Sequence, residues 1–213
     1  MVGIIYATRR EADPFLLKSC ATPLSAQPLV TFQTAGGHHT PCITVISGMG
    51  KVAATMAATH LVLVHQVSML VNAGLCGGLA MDNRWSVGDL FRIDTAIEGD
   101  CDRFGQTEQA VACDARWFSE LKLARLVTND RPVFDVAWRG KLAGIGDLAD
   151  MEGAAVARVA RLYSIPCAMV KGISDMADET GRQDVDSHMD WVSGRIADAL
   201  VHELSINPTD KQP

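Results

Sequence analysis

Ser68-Met69-Leu70-Val71-Asn72-Ala73-Gly74-Leu75-Cys76-Gly77-Gly78-Leu79 is the stretch on which the fold turns. Its first half, to Ala73, is an apolar run of strand length, and its second half is a glycine cluster whose missing side chains let the backbone approach a ligand closely. Open α/β sheets bring ligands to the ends of buried strands in this way. Taken alone, the cluster is also compatible with a plain tight turn.

Working outward, similar short runs recur at Val2 to Tyr6, Pro41 to Ser47, Val87 to Asp94, Arg125 to Thr128 and Pro166 to Ile173, with helix-length segments between them. That alternation predicts an α/β fold. Lys51 to Val64 reads as a helix opened by the glycines of Ser47-Gly48-Met49-Gly50, and Met151 to Tyr163 as a helix with Asp150 at its N-cap. A last helix runs from about Asp184 to Leu204, where Val192, Ile196, Ala199, Leu200 and Leu204 recur at helical spacing. The expectation is one domain over residues 1–206, with a polar, frayed tail at 207–213.

The 213 residues are 48% apolar and 21% charged, enough for one full domain, and the formal net charge is −6. A mild acidic excess gives no general grip on nucleic acid, which needs clustered Lys and Arg, so small molecules are the expected partners. Six scattered cysteines contain no Cys-x-x-Cys pair, so neither a zinc site nor a disulfide framework is indicated and a reducing cytoplasm fits. Met1 to Ala7 enters an apolar run without the basic stretch and cleavage site of a signal peptide. His65 and Gln66 interrupt the longest candidate for a membrane span. The pair His38-His39 reads as a loop, and His60 with His65 misses the i, i+4 face of helical metal sites; all four read as structural.

Two acidic segments stand out. Asp150-Met151-Glu152-Gly153-Ala154-Ala155 opens a helix, and Gly172-Ile173-Ser174-Asp175-Met176-Ala177-Asp178 ends an apolar strand, so Glu152 and Asp175 fall where the active sites of α/β sheets gather. Glu11 follows the first strand. Each has an ordinary explanation: an acid at a helix N-terminus for Glu152, a cap or turn residue for Asp175. Ser47-Gly48-Met49-Gly50-Lys51 is not a Walker A loop, which needs four residues between its first glycine and Gly-Lys-Ser/Thr, but it offers backbone N–H groups at a helix start.

Together these segments, with Gly3-Ile4-Ile5 and Val87-Gly88-Asp89, resemble the nucleoside phosphorylase and nucleosidase superfamily, and within it the methylthioadenosine/S-adenosylhomocysteine nucleosidases. The resemblance spans Gly3 to Ala199 with six motifs in the family's order. It implies a three-layer αβα fold around a mixed central sheet, a homodimer, and no metal or organic cofactor. It also implies roles. A departing purine needs a general acid, the ribose a carboxylate, and the water an activating base. Asp175 would protonate N7 with Ser174 beside it, kept protonated near neutral pH by an apolar pocket. Glu152 would accept ribose hydroxyls while Met151 packs on the sugar, and Glu11 would deprotonate the water. Met49 and Phe134 are candidate pocket walls, with plain core as the alternative.

The chain departs from the family's pattern at three positions. Cys76 stands where a serine is usual, Lys171 where an arginine is usual, and Pro132 where an aromatic residue stacks on the base. Cys76 and Lys171 remain candidate substrate contacts, although a lysine is one flexible point charge rather than a planar fork. The stretch from about Asp100 to Leu123 is also shorter than in the methylthioadenosine nucleosidases, and with Pro132 it makes adenosylhopane-type and futalosine-type nucleosides nearly as compatible as methylthioadenosine or S-adenosylhomocysteine. The turn after the first strand, Ala7-Thr8-Arg9-Arg10-Glu11-Ala12-Asp13, lacks the phosphorylases' Gly-Asp-Pro and carries a carboxylate that would repel phosphate, which favours hydrolysis; Arg9 and Arg10 keep phosphorolysis as the alternative. A thiol hydrolase on Cys76 lacks a partnered His, and a dinucleotide enzyme lacks Gly-x-Gly-x-x-Gly. A non-catalytic nucleoside-binding protein would not require all three carboxylates.

Overall fold

The computed structural model describes residues 1–34, 40–82, 84–101, 104 and 110–205. His38-His39 and the tail at 207–213 lie outside the described residues. The elements are β1 (Val2–Tyr6), α1 (Arg9–Lys18), β2 (Thr22–Ser25), β3 (Val30–Thr34), β4 (Cys42–Ile46), α2 (Lys51–Leu63), β5 (Met69–Gly78), β6 (Leu90–Glu98), β7 (Val111–Ala112), β8 (Lys122–Thr128), α3 (Val136–Leu142), β9 (Leu148–Asp150), α4 (Gly153–Leu162), β10 (Cys167–Asp175) and α5 (Gly181–Ser205). Among the described residues, all ten strands join one mixed sheet. The expected α/β class and three-layer arrangement are what the chain adopts.

The layers follow from period-two alternation in the strands. In β1, Ile5 faces a core built with Ala54, Ala57, Ala58 and Leu61 of α2 and Ala154 to Ala160 of α4. Ile4 and Tyr6 face the opposite core, with Phe15 of α1 and Val192, Ile196 and Leu200 of α5. At about 25 cal/mol per Å2 of apolar area removed from water, burying each large aliphatic side chain contributes about 1.5–3 kcal/mol.

β5 is the hub. Along one side it pairs with β10, from Leu70 to Gly77. On the other it pairs first with β1, ending at Ile5–Asn72, and then with β9, starting at Gly77–Ala149. Between those partners, part of one edge of β5 has no strand beside it. β5, β10, β6, β8 and β9 close into a circuit.

Two helices differ from the sequence expectation. The helix expected from Met151 with Asp150 as N-cap starts at Gly153, and Glu152 is the N-cap residue without a side-chain cap bond. The chain uses residues 150–152 to turn out of β9, and Asp150 Oδ2 still accepts the Gly153 N–H at 2.8 Å. The last helix begins earlier than expected, at Gly181. Among the described residues, no helix is long and apolar enough to cross a membrane.

Candidate active site

The gap along β5 is filled by a side chain. Where neither β1 nor β9 reaches, the Leu75 N–H donates to Glu11 Oε1 at 3.1 Å. Glu11 Oε2 accepts from the Thr8 N–H at 3.0 Å and the Thr8 hydroxyl at 2.7 Å, while Thr8 Oγ1 accepts the Glu11 N–H, a capping box at the start of α1. The carboxylate is thus fixed over Gly74, where a Cβ would lie 3.0 Å from Glu11 Oε1 and 3.9 Å from Lys171 Nζ.

Glu152 approaches from the end of β9. Its Oε1 accepts the Gly50 N–H at 2.8 Å. Gly50, at φ +94°, takes a conformation that favours glycine and aims that N–H at the carboxylate. Burial and then the Asp150 charge push the Glu152 carboxyl up to about 7, against the pull of Lys171 and the Gly50 hydrogen bond.

Asp175 closes β10 and is buried. Its Oδ2 accepts the Ser174 hydroxyl at 2.8 Å and its Oδ1 the Ala177 N–H at 2.9 Å. Burial raises its carboxyl to about 6, and those two hydrogen bonds to the charged form hold it from going higher. His188 Nδ1 lies 3.1 Å from the Ser174 carbonyl, an acceptor only, so Nδ1 carries the hydrogen.

Lys171 does not open onto a pocket. It is 1% exposed, and its Nζ is 2.7 Å from Asp150 Oδ2. Asp150 in turn accepts the Thr128 hydroxyl at 2.6 Å through Oδ1. Burial opposes the ammonium charge, but Asp150 and Glu152 outweigh it and raise the Lys171 pKa. Cys76 is buried, and that burial pushes its thiol well above the ordinary value, so a thiolate nucleophile there is disfavoured. Met49, by contrast with a core assignment, is 69% exposed on the glycine loop, and Phe134 is half-buried. A Cβ at Gly181 would lie 2.5 Å from Phe134 Cδ1 and 3.2 Å from Asp175 Oδ1, so Gly181 is where the aromatic ring and the acid meet. Phe134 therefore lies near Asp175 although Pro132 holds the expected aromatic position. Met151 is half-buried beside Glu152.

The cations of the first turn are engaged elsewhere. Arg9 pairs with Asp13 and lies over the Phe32 ring, and Arg10 bridges to Asp186 at 2.8 Å and Asp190 at 2.6 Å on α5. Two of the N–H groups opening α2 are also taken: Gly50 by Glu152, and Lys51 by Asp130 Oδ1 at 3.1 Å. His60 and His65 do meet, edge to face with ring centroids 5.1 Å apart, because the chain turns back past the end of α2. Among the described residues, no group of three or more His, Cys, Asp or Glu is arranged to hold a metal ion.

Sequence reasoning missed Thr8, Asp150 as the partner of Lys171, and His188. The first had a local signal in Thr8-x-x-Glu11. The other two depend on contacts across the sheet.

A family model described as the phosphorylase superfamily matches residues 1–204. The aminodeoxyfutalosine nucleosidase of Helicobacter pylori (strain ATCC 700392 / 26695) is 24% identical over 230 residues, covering 95% of this chain and 98% of that protein. The 5'-methylthioadenosine/S-adenosylhomocysteine nucleosidase of Haemophilus ducreyi is 24% identical over 230 residues, with coverage of 96% and 97%. Among solved structures, S-adenosylhomocysteine nucleosidase from Streptococcus pyogenes, in complex with 5-methylthiotubericidin, superposes with a TM-score of 0.89 at 24% identity, covering 97% of each chain. At that identity the superposition speaks to the fold.

Proposed function

This chain belongs to the phosphorylase superfamily, and from that premise we propose that it hydrolyses the N-glycosidic bond of an adenosine-type nucleoside, whether methylthioadenosine/S-adenosylhomocysteine-like, adenosylhopane-like or futalosine-like. Asp175 gives its proton to N7 of the departing purine as the bond to C1′ breaks. Glu152 accepts the ribose hydroxyls while positive charge builds on the sugar. Glu11 takes a proton from the water whose oxygen attacks C1′, and the products are a free purine and a free sugar. Met151 and Ser174 border the sugar and the acid, Phe134 and Met49 wall the base side, and Cys76 packs beneath. Lys171 acts on substrate only through the carboxylates it balances. These groups carry the acid, base and ribose contacts without a metal or organic cofactor.

The observation that carries hydrolysis over phosphorolysis is the occupancy of the anion-binding groups. Arg9, Arg10 and the N–H groups of Gly50 and Lys51 already face carboxylates. A phosphate within about 4 Å of Glu11 would meet roughly 1 to 4 kcal/mol of like-charge repulsion at dielectric constants between those of water and a protein surface. The names of the two relatives above support the adenosine-type assignment.

The test is a panel of adenosine, methylthioadenosine, S-adenosylhomocysteine, inosine and futalosine, each with and without millimolar phosphate, with products identified by chromatography. The expected result is one or more of methylthioadenosine, S-adenosylhomocysteine, adenosine and futalosine cleaved equally in both buffers to a sugar without phosphate. Turnover that requires phosphate and yields a sugar 1-phosphate would replace this reading with a phosphorylase. Binding without turnover across the panel would favour a nucleoside-binding protein.

The same reading puts the enzyme in the cytoplasm as a homodimer. Support comes from α2, whose outer face exposes Val52 (74%), Met56 (62%) and Leu63 (59%). Such a stripe on one helix is the kind of surface a second copy covers.

A further inference from the structure

Far from the carboxylates, two cysteines meet. β7 and β10 lie end to end along β6: β7 pairs with Thr95 and Ala96, and β10 with Leu90 to Arg92. At the join, the Asp114 N–H donates to the Cys167 carbonyl at 2.7 Å, and the Cys113 N–H to the Asp94 carbonyl at 2.7 Å. This sets Cys113, just past β7, beside Cys167, the first residue of β10; the Cys113 thiol donates to the Val111 carbonyl at 3.8 Å and the Cys167 thiol to the Ala168 carbonyl at 3.9 Å, and the two thiols are near enough to act on one another. Both belong to the α4 side of the sheet: Cys167 is buried in that core and Cys113 is partly buried against it.

Cys167, but not Cys113, also lines a cavity of about 440 Å3, together with Val111, Asp114, Ala160 and Arg161. That volume is large enough to admit a small molecule. The cavity lies at the opposite end of β10 from Asp175, roughly 26 Å away at about 3.3 Å per residue. It is therefore no branch of the catalytic site.

We propose that Cys113 and Cys167 are a redox-modifiable dithiol that closes to an intramolecular disulfide when hydrogen peroxide reaches the partly exposed Cys113. Cys113 reacts first, because it is partly exposed while Cys167 is buried, and the neighbouring Cys113 thiol and then burial push the Cys167 thiol well above its ordinary value. The Cys113 sulfur attacks one peroxide oxygen, the O–O bond breaks, water departs, and Cys113 carries a sulfenic acid. The Cys167 sulfur then attacks the Cys113 sulfur and expels hydroxide, which leaves as a second water with the Cys167 proton. Two thiols lose two electrons in all, and one peroxide becomes two waters. In a reducing compartment such a bond is transient. Cys20 and Cys101 are exposed, and Cys42 and Cys76 are buried, away from this join.

The experiment treats the reduced protein with hydrogen peroxide, blocks remaining thiols by alkylation and maps the peptides by mass spectrometry without reduction. The expected result is a linked Cys113–Cys167 peptide, an intact mass lower by two hydrogens, and reversal by dithiothreitol. Cys113→Ser should abolish the linked peptide, and the Cys20→Ser, Cys101→Ser double variant should keep it. Recovery of Cys113 as free thiol or as sulfinic acid with no linked peptide would overturn the proposal, as would crosslinks that run only through Cys20 or Cys101. Should Cys113→Ser not fold, the wild-type peptide map decides alone.

Discussion

Lys171 Nζ sits 2.7 Å from Asp150 Oδ2 with both side chains buried, so one ammonium balances the carboxylates gathered beneath the ends of β1, β5 and β9. Removing the cation leaves Asp150 as an uncompensated buried charge and deprives Glu152 of the partner that holds its pKa down. Lys171→Met should cost about 3–5 kcal/mol in urea unfolding. Adding Asp150→Asn should recover part of that loss. An unchanged midpoint in the single variant would show that the pair contributes little.

Asp175→Asn keeps the shape of the side chain but offers no acidic proton. Its kcat should fall by roughly 10² to 10⁴, with a smaller change in nucleoside binding. Near-native turnover would remove Asp175 from the role of acid.

The pH profile follows from two carboxyls. Asp175 must be protonated and titrates at about 6, so the rate declines as pH rises through that value. Glu152 must be ionised and titrates at about 7, so the rate declines as pH falls through that value. The two requirements overlap only in a minority form, about one molecule in 20 near pH 6.5 if the groups titrate independently. A narrow bell in kcat/KM between pH 6 and 7 is expected. In Lys171→Met the Glu152 pKa rises further and the bell should move to higher pH; a flat profile from 5 to 8 would contradict both assignments.

Glu11→Gln keeps one acceptor oxygen, enough for the Leu75 N–H or for the Thr8 N–H but not for both, so the fold should persist with some loss of stability and nucleoside binding should persist while hydrolysis is lost. Calorimetric titration alongside the turnover assay separates the two. Loss of binding together with activity would make Glu11 a structural residue.

Replacing both Val52 and Met56 with Glu on the outer face of α2 should convert a dimer to monomers in sedimentation velocity. A wild-type chain that sediments as a fully active monomer would rule out the dimer.

Much of this was legible in the sequence, and what was not has physical causes. β1 and α2 were readable because their apolar runs are long enough to bury on their own. α1 was missed because Pro14 interrupts its interior, and α3 because it has seven residues. β2 and β3 form an edge hairpin with mixed exposure, and β9 has three residues, so neither carries a usable period. In the site, Glu11, Glu152 and Asp175 stood out as carboxylates at strand ends. The engagement of Lys171 by Asp150 did not, because its partners are 21 residues apart in sequence and meet only once β9 and β10 flank β5. Nor did the proximity of Phe134 to Asp175, which depends on the absence of a side chain at Gly181.

The closed circuit of strands also bears on how the chain is born. β10 is the last strand made among the described residues, yet it lies between β5 and β6, parallel to one and antiparallel to the other. Until a ribosome has released the residues from Cys167 onward, one long side of β5 and one of β6 lack this neighbour and can recruit foreign strands. A nascent chain halted before Cys167 should therefore aggregate, whereas one released after Ser205 can close its own ring. The interval between synthesis of β6 and of β10 is the period of greatest exposure to misassembly, and a chaperone that protects this protein would be needed most there.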